Sequence, residues 1–321
     1  MNRGASTGAA KDVSAGSLFH TPQLSIVLVN WNTLRHLVPC LRSILESNIP
    51  WPFEVIVVDN NSTDTTQTTV PQLFPSVRLV ENQQNLGFAR AVNQGAKQAL
   101  GEYLLLLNPD TVVNGASLRT MVEFMQQSPD AAVVGGALLN SDGSFQGSYA
   151  HFSTLLQETL IALGISDRLW HGYPSHHRST RTQAVDWICG ACLLVRREAF
   201  LRVGCLDEEY VMYSEEVDLQ YRLRREGWNT YYLPHVRTVH HGGGSQSRLR
   251  RRSAVYRGKL LFYRKNLGGL RHLTLRLILA LISLTKFAMW MAPAILPSYR
   301  GRAWAEAESN LEILKLCWKA G

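Results

Sequence analysis

Leu104-Leu105-Leu106-Leu107-Asn108-Pro109-Asp110 is the stretch on which the reading of this chain turns. A continuous leucine run behind Gly101-Glu102-Tyr103 predicts a short strand buried on both faces. The polar Asn-Pro-Asp end then leaves that strand at its carboxyl edge. In an open parallel sheet the ligand crevice lies outside the carboxyl ends of the strands, so Asp110 falls where a cation and a diphosphate would meet. A carboxylate is a hard oxygen ligand suited to Mg²⁺ or Mn²⁺, which usually takes one or two protein carboxylates and leaves its other positions to phosphate and water.

The segments before it repeat the pattern. Leu24-Ser25-Ile26-Val27-Leu28-Val29 ends in Asn30-Trp31-Asn32-Thr33, and Phe53-Glu54-Val55-Ile56-Val57-Val58 ends in Asp59-Asn60-Asn61-Ser62-Thr63-Asp64. Between them Leu34, Leu37, Val38, Leu41, Ile44 and Leu45 recur at helical spacing. Strand, helix and strand with a polar tip each time predict right-handed βαβ units. Val77-Arg78-Leu79-Val80 reads as a third strand, and Gly87 marks the turn into a helix carrying Ala89, Ala91, Asn93 and Ala96. The expected class is α/β with a mostly parallel central sheet flanked by helices. Neither G-x-G-x-x-G after the first strand nor a Walker lysine is present, so a dinucleotide or P-loop site is unsupported.

Further along, Ala132-Val133-Val134-Gly135-Gly136 reads as a strand, and about 141–182 as irregular sequence with scattered His151, His171, His176 and His177. Val185 to Val195 reads as strand, small-residue turn and strand, in which Gly190 and Ala191 leave room for a substrate beside Asp186 and Trp187. Cys189 and Cys192 have C-x-x-C spacing without a second pair, which reads as small packed residues. Ser214 is expected to cap a helix with Glu215, Glu216 and Asp218 in its first turn, where acids also complement the helix dipole. Val239-His240-His241 ends a strand before a glycine run.

The chain has 321 residues and 45% apolar content, enough for a sizeable core. Five cysteines without disulfide-scaffold density fit a reducing cytosol. Residues 1–22 read as a loose Ser/Gly/Ala-rich tail without a signal-peptide h-region. The net charge of +8 is uneven: from Arg248 onward there are fifteen Lys and Arg against three acids. No nucleic-acid-reading module accompanies this charge, so no nucleic acid partner is expected. The apolar stretch from Leu273 to Pro297 is interrupted by Arg276 and Lys286, which disfavours a spanning helix and suits a segment lying on an anionic membrane surface. The rival reading is a helical subdomain packed on the rest of the chain or on a second copy.

Taken together, Asn30-Trp31-Asn32, Asp59 to Asp64, Asn85-Leu86-Gly87-Phe88-Ala89 through Asn93-Gln94-Gly95, Leu107 to Asp110, Gly190-Ala191, Asp207-Glu208 with Tyr213 to Leu219, and His240 with Ser245 resemble the family 2 inverting glycosyltransferases, most of all the rhamnosyltransferase-type members. The resemblance covers about Leu24 to Ser245. It implies a GT-A domain over 23–247, with a nucleotide-binding half about 23–112 and an acceptor half about 113–247, followed by a basic helical region over 248–321.

The activity it implies is transfer of a sugar, a deoxysugar such as rhamnose, from a dTDP- or UDP-linked donor to a glycan or polyprenyl-diphosphate-linked acceptor in cell-envelope synthesis. The work would be done in the cytoplasm at the inner face of the membrane. Asp59 would bond the pyrimidine base, with Asn30, Asn32, Asn85, Gly87, Asn93 and Asn108 lining the nucleotide pocket. Asp110 stands at the last acid of a D-x-D motif whose first position is Asn108, and His240 would be the second metal ligand, preferred to His241 because His-x-x-Gly-x-Ser begins there. Glu216 would be the base that deprotonates the acceptor, with Glu215 and Asp218 as fallbacks. The alternatives are a sugar-phosphate nucleotidyltransferase and a catalytically silent binding subunit.

Overall fold

The computed structural model describes residues 21–165, 179–242, 248–292 and 300–319. The expected tail over 1–20, His171, His176, His177, Ser245 and Pro297 lie outside the described residues.

Strands β1 (Leu24–Asn30), β2 (Phe53–Asp59), β3 (Arg78–Glu81) and β4 (Tyr103–Leu107) are joined by helices α1 (Leu34–Leu45), α2 (Thr66–Leu73) and α3 (Phe88–Gln98). They pair in parallel in the order β3-β2-β1-β4. The register sets Asn30 beside Asp59 and Leu28 beside Leu107, so the polar tips share one edge. β1 and β4 are buried along their whole length because apolar clusters cover both faces. Leu105 and Leu107 pack with Leu37 and Leu41 of α1, while Leu104 and Leu106 pack with Ala91 and Val92 of α3.

The sheet continues through strands that arrive out of sequence order. β5 (Thr111–Val112), helix α4 (Gly115–Gln127) and β6 (Ala131–Leu139) follow β4 in the chain. The neighbour of β4 is instead β11 (Cys192–Arg196), antiparallel to both β4 and β6. Outside β6 runs β12 (Asn229–His240), parallel to it, and β5 closes that end by pairing antiparallel with the last residues of β12.

The stretch expected to be irregular is partly ordered. It holds β7 (Phe145–Gln146), β8 (Tyr149–Ala150) and helix α5 (Leu155–Leu163). A capping box of Thr154 and Gln157 starts α5, and Gly164 at φ 81 ends it. These strands are two residues long, too short to leave a periodic signal in sequence. β9 (Gln183–Val185) pairs with β12, and β10 (Trp187–Ile188) pairs with β8 rather than with β11. Helices α6 (Arg197–Arg202) and α7 (Glu215–Arg225) complete this half.

The basic C-terminal region is helical: α8 (Arg248–Phe262), a π-helical turn (Tyr263–Leu267), α9 (Gly269–Met291) and α10 (Arg300–Lys319). A third apolar cluster joins it to the rest, with Tyr256, Leu260, Leu275, Leu279 and Ile313 packed around Ala162 and Tyr210. The Lys259 ammonium lies 2.6 Å from the fully buried carboxylate of Glu158, which also accepts from Ser153 Oγ. A buried carboxylate is tolerable only with such partners, so this pair fixes α8 against α5.

Candidate active site

The tip of β1 and the turn after β2 are one hydrogen-bonded unit. Asp59 is fully buried. Its Oδ1 accepts from Asn30 Nδ2 (3.1 Å) and Ser62 Oγ (2.5 Å), and its Oδ2 accepts from the Ser62 N–H (3.1 Å) and Gln67 Nε2 (3.2 Å). In this conformation the acceptor positions of Asp59, expected to bond the pyrimidine base, are met by these internal donors, and the residue shapes the wall of the pocket. Asn30 is likewise internal, donating also to Ser62 and Thr66 and accepting from Thr33 Oγ1. Asn32 is exposed in the left-handed region (φ 54), with its Oδ1 accepting from Thr63 N–H at 2.7 Å.

Asn60, which sequence reasoning did not single out, ties this unit to the next loop. It donates to Gly87 O and accepts from Asn82 and the Leu86 N–H. Asn85 accepts from the Gly87 N–H at 2.9 Å, and Gly87 at φ 85 makes the left-handed entry into α3. Asn93 departs from its expected place. It is buried, donating to Leu206 O (2.8 Å) and accepting from Leu206 N–H (3.0 Å), so it clamps the 205–208 loop instead of lining a nucleotide pocket.

Asp110 and His240 meet because β5 turns back onto the end of β12. His240 pairs with Thr111, and the His241 N–H donates to Asp110 O at 2.9 Å. Asp110 Oδ1 then lies 3.4 Å from His240 Nε2. The tautomer follows from a residue the sequence did not signal. Gln146 Nε2 donates to Asn140 Oδ1 and His240 O, both at 2.6 Å, so its Oε1 must be the atom 2.9 Å from His240 Nδ1. An amide oxygen only accepts, hence Nδ1 carries the proton and Nε2 is free to face Asp110.

Two electron-rich atoms facing each other at that distance call for a cation or a proton between them, and the pair fits a divalent ion on this ground. No third His, Cys, Asp or Glu joins them among the described residues, which leaves the remaining positions to a diphosphate and water. Burial pushes the Asp110 carboxyl up, but when Nε2 also takes a proton its hydrogen bond and the imidazolium charge, with His36 nearby, outweigh burial and hold the carboxyl below the ordinary range; in that form the proton fills the place between the two atoms. His241 is engaged elsewhere, with Nδ1 2.8 Å from Ser141 Oγ and its ring stacked on His36.

A chain of contacts links this pair to the acidic helix. The Asn108 N–H donates to Ala191 O at 3.0 Å, so the small-residue turn before β11 lies against the end of β4. Gly190 in that turn lies against Glu216, whose Cβ would be 3.5 Å from any Cβ added there. Glu215 is buried and Glu216 half-buried, and each has a buried Oε2 with no hydrogen-bond partner among the described residues. Burial raises the Glu216 carboxyl above its ordinary value against the pull of backbone N–H groups, that of Gly190 among them. Burial and then the neighbouring Glu216 raise Glu215 further.

Asp218 is a different case. It accepts from Tyr210, Asn266 and Arg222, so this fallback base is a bonded structural acid. Nor does Ser214 cap the helix by its side chain. Tyr213 and Ser214 take φ of 70 and 72, a left-handed pair that turns the chain into the helix. α8 supports that turn: a Cβ on Gly258 would come within 2.5 Å of Tyr213 O, so the helix backbone approaches the turn as only glycine allows.

Asp186 and Trp187 do not belong to this group. Asp186 pairs with Arg224 and accepts from the Phe152 N–H, with His151 beside it at 3.4 Å. Trp187 is buried and donates to His151 O. They line or border a cleft of about 320 Å³ at the Arg224 end of α7, about 12 Å along the helix from Glu216. The C-x-x-C cysteines are free, and burial pushes Cys189 up to about 12 and Cys192 up to about 11, which leaves both thiols protonated and unreactive.

Comparison with known proteins places this geometry. The model of the family described as glycosyl transferase family 2 matches residues 25–204. The chain is 33% identical over 246 residues to an N-acetylglucosaminyl-diphospho-decaprenol L-rhamnosyltransferase of Mycobacterium tuberculosis, covering 71% of this chain and 79% of that protein. It is 25% identical over 295 residues to the low-salt glycan biosynthesis hexosyltransferase Agl10 of Haloferax volcanii, covering 87% and 90%. Its fold is similar to that of a mannosyltransferase of Pyrobaculum calidifontis solved with GDP-Man and Mn²⁺, with a TM-score of 0.57 at 16% identity, covering 94% and 88% of the two chains.

Proposed function

Because the chain belongs to glycosyl transferase family 2, we propose that it transfers L-rhamnose from dTDP-rhamnose, with inversion, to a saccharide carried on a polyprenyl diphosphate. It is a glycosyltransferase with a GT-A fold, and that membership leaves the nucleotidyltransferase alternative without support. The donor and acceptor rest on likeness to the mycobacterial rhamnosyltransferase. The observation that carries the reading is one continuous arrangement: the Asp110–His240 pair, the Asn108–Ala191 hydrogen bond, and Gly190 against Glu216, whose Oε2 has no hydrogen-bond partner among the described residues.

In this proposal Glu216 takes the proton of the acceptor hydroxyl as its oxygen attacks the anomeric carbon from the face opposite the diphosphate. The new C–O bond forms as the bond to the diphosphate oxygen breaks, and the nucleoside diphosphate leaves with the electron pair. Glu216 is preferred to Glu215 because it is the less buried of the two and borders the Gly190 turn. Asp110 and His240 would hold Mg²⁺ or Mn²⁺ together with the diphosphate, and the ion supplies Lewis-acid stabilisation of the leaving group. Gln146 is a positioning residue that keeps His240 Nε2 unprotonated. Asn32 and Asn85 stand exposed around the expected nucleotide site, framed by the Asp59 network. A lipid-diphosphate acceptor puts the reaction at the inner face of the cell membrane, with residues 23–247 as the catalytic unit and the remainder as its support.

The test is dTDP release from dTDP-rhamnose with a prenyl-diphosphate-linked N-acetylglucosamine acceptor, run beside a panel of other nucleotide sugars with and without Mn²⁺. Release that depends on both substrates bears the proposal out. Absence of release from every donor by folded protein overturns it.

A further inference from the structure

The outer face of α9 is apolar along its length. Leu270, Leu273, Leu277, Leu281 and Leu284 are each between 48% and 79% exposed and recur every three or four residues, which sets them on one stripe. Ala288 extends the stripe to about 27 Å, and exposed Met289 lies beside its end. An exposed patch of this continuity marks a surface that is covered in use, since scattered leucines would not align.

The two charges that interrupt this stretch in sequence do not reach the stripe. Arg276 Nε donates to Cys317 O at 2.8 Å, and Lys286 Nζ donates to Ala162 O at 2.6 Å, both on the side packed against the chain. The Thr274 and Thr285 hydroxyls donate to carbonyls of their own helix. From Leu273 to Met289 no charged side chain is exposed. Cations bracket the stripe instead: Arg271 is exposed at its start, and Arg300 and Arg302 are exposed at the start of α10, with the Arg302 guanidinium 5.9 Å over the Trp290 ring at its other end.

Length and composition would let α9 cross a bilayer, against the expectation drawn from its charges, but its packing argues that it lies in the surface. Leu275 and Leu279 are buried in the cluster with Ile313 and Cys317 of α10. α10 carries Glu306, Glu308 and Glu312, which hydrocarbon would not accept. A helix held on one side by a polar neighbour presents only its other side to lipid.

We infer that the outer face of α9, with Arg271, Arg300 and Arg302 at its ends, seats the enzyme on an anionic bilayer, its leucines entering the headgroup and acyl boundary. Apolar burial plus attraction of flanking cations to anionic lipid is how in-plane helices bind. The inference deepens the proposed function by naming the surface on which a lipid-linked acceptor would be met, and it rests on that reading only for its purpose. α8 precedes α9 and its Gly258 supports the Tyr213–Ser214 turn before Glu216, so the membrane seat and the acidic helix share one rigid support.

The test is co-sedimentation of the full chain with phosphatidylcholine vesicles with and without phosphatidylglycerol, alongside L277Q/L281Q and R271E/R300E/R302E. Wild type is expected to bind the anionic vesicles, with tryptophan fluorescence quenched by brominated lipid. L277Q/L281Q should bind at least about tenfold more weakly at unchanged thermal stability, and the charge variant should lose the preference for anionic lipid. Failure of wild type to bind, equal binding by L277Q/L281Q, or a solution dimer that L277Q/L281Q dissociates overturns the inference, the last by making a second copy the occupant. Transfer to a water-soluble short-chain acceptor separates the two readings. Vesicle binding without transfer to any acceptor keeps the seat and removes the proposed function; transfer without vesicle binding does the reverse.

Discussion

Replacing Glu216 by Gln removes one negative charge and almost no volume, so its consequences for rate and for stability can be separated. The carboxylate is half-buried, with an Oε2 that has no hydrogen-bond partner among the described residues, beside a second buried acid at Glu215. Gln is still polar but carries no charge, so the cost it removes is that of ionising a buried carboxyl, and E216Q should be more stable than wild type by on the order of 1 kcal/mol wherever Glu216 is ionised. The size of the gain depends on pH. Because the folded protein holds this carboxyl above its ordinary value, the native state binds the proton more tightly, and that contribution to stability is present below the ordinary glutamate range. It is lost as pH rises through the raised value. The stabilisation of E216Q should therefore be smallest in the ordinary glutamate range and grow as pH rises through the raised value, measured by thermal unfolding across a pH series. If Glu216 is the base, its loss should lower kcat by about 10²–10⁴-fold, while wild-type kcat rises with pH as the carboxyl ionises. E215Q should be stabilised too but keep most of its rate. Equal rates in E216Q and wild type, or a loss confined to E215Q, would refute the assignment.

The remaining expectations are independent of that result. Gln146→Leu should weaken Mn²⁺ binding in the presence of nucleoside diphosphate by about 10–100-fold, measured by calorimetry, because His240 loses the partner that fixes its tautomer; unchanged affinity would show that the tautomer is set elsewhere. Asn93→Ala should cost about 1–3 kcal/mol in denaturant unfolding, since both Leu206 backbone bonds are lost in a buried place, with donor affinity nearly unchanged if Asn93 is a clamp rather than a nucleotide contact. Gly258→Ala should destabilise by about 1–3 kcal/mol and lower kcat, because its methyl would collide with Tyr213 O and shift the turn before Glu215. A stable G258A variant of normal activity would mean that α8 does not position that turn.

Much of the nucleotide-binding half was legible because its signals are local. Leucine and valine runs with polar ends specify buried strands, and helical spacing between them specifies parallel crossovers, so β1, β2, β4 and the edge that carries Asn30, Asp59 and Asp110 follow from the residues. Where a side chain turns once it is there was not legible. Asp59 and Asn93 were expected to face a ligand, but each is enclosed by partners distant in the chain, Gln67 and Ser62 for one and Leu206 for the other.

By itself the sequence determined the parallel half of the sheet, its ligand edge and the family that the motifs resemble, because apolar periodicity and turn residues act over a few positions. Only the tertiary structure decided which polar groups remain free. It put Gln146 behind His240, set Gly190 against Glu216, consumed Asp186 and Asp218 in ion pairs, and turned Arg276 and Lys286 inward to leave a leucine face outside. Those outcomes depend on hydrogen-bond partners brought from remote segments, and a buried polar group goes wherever its partners are.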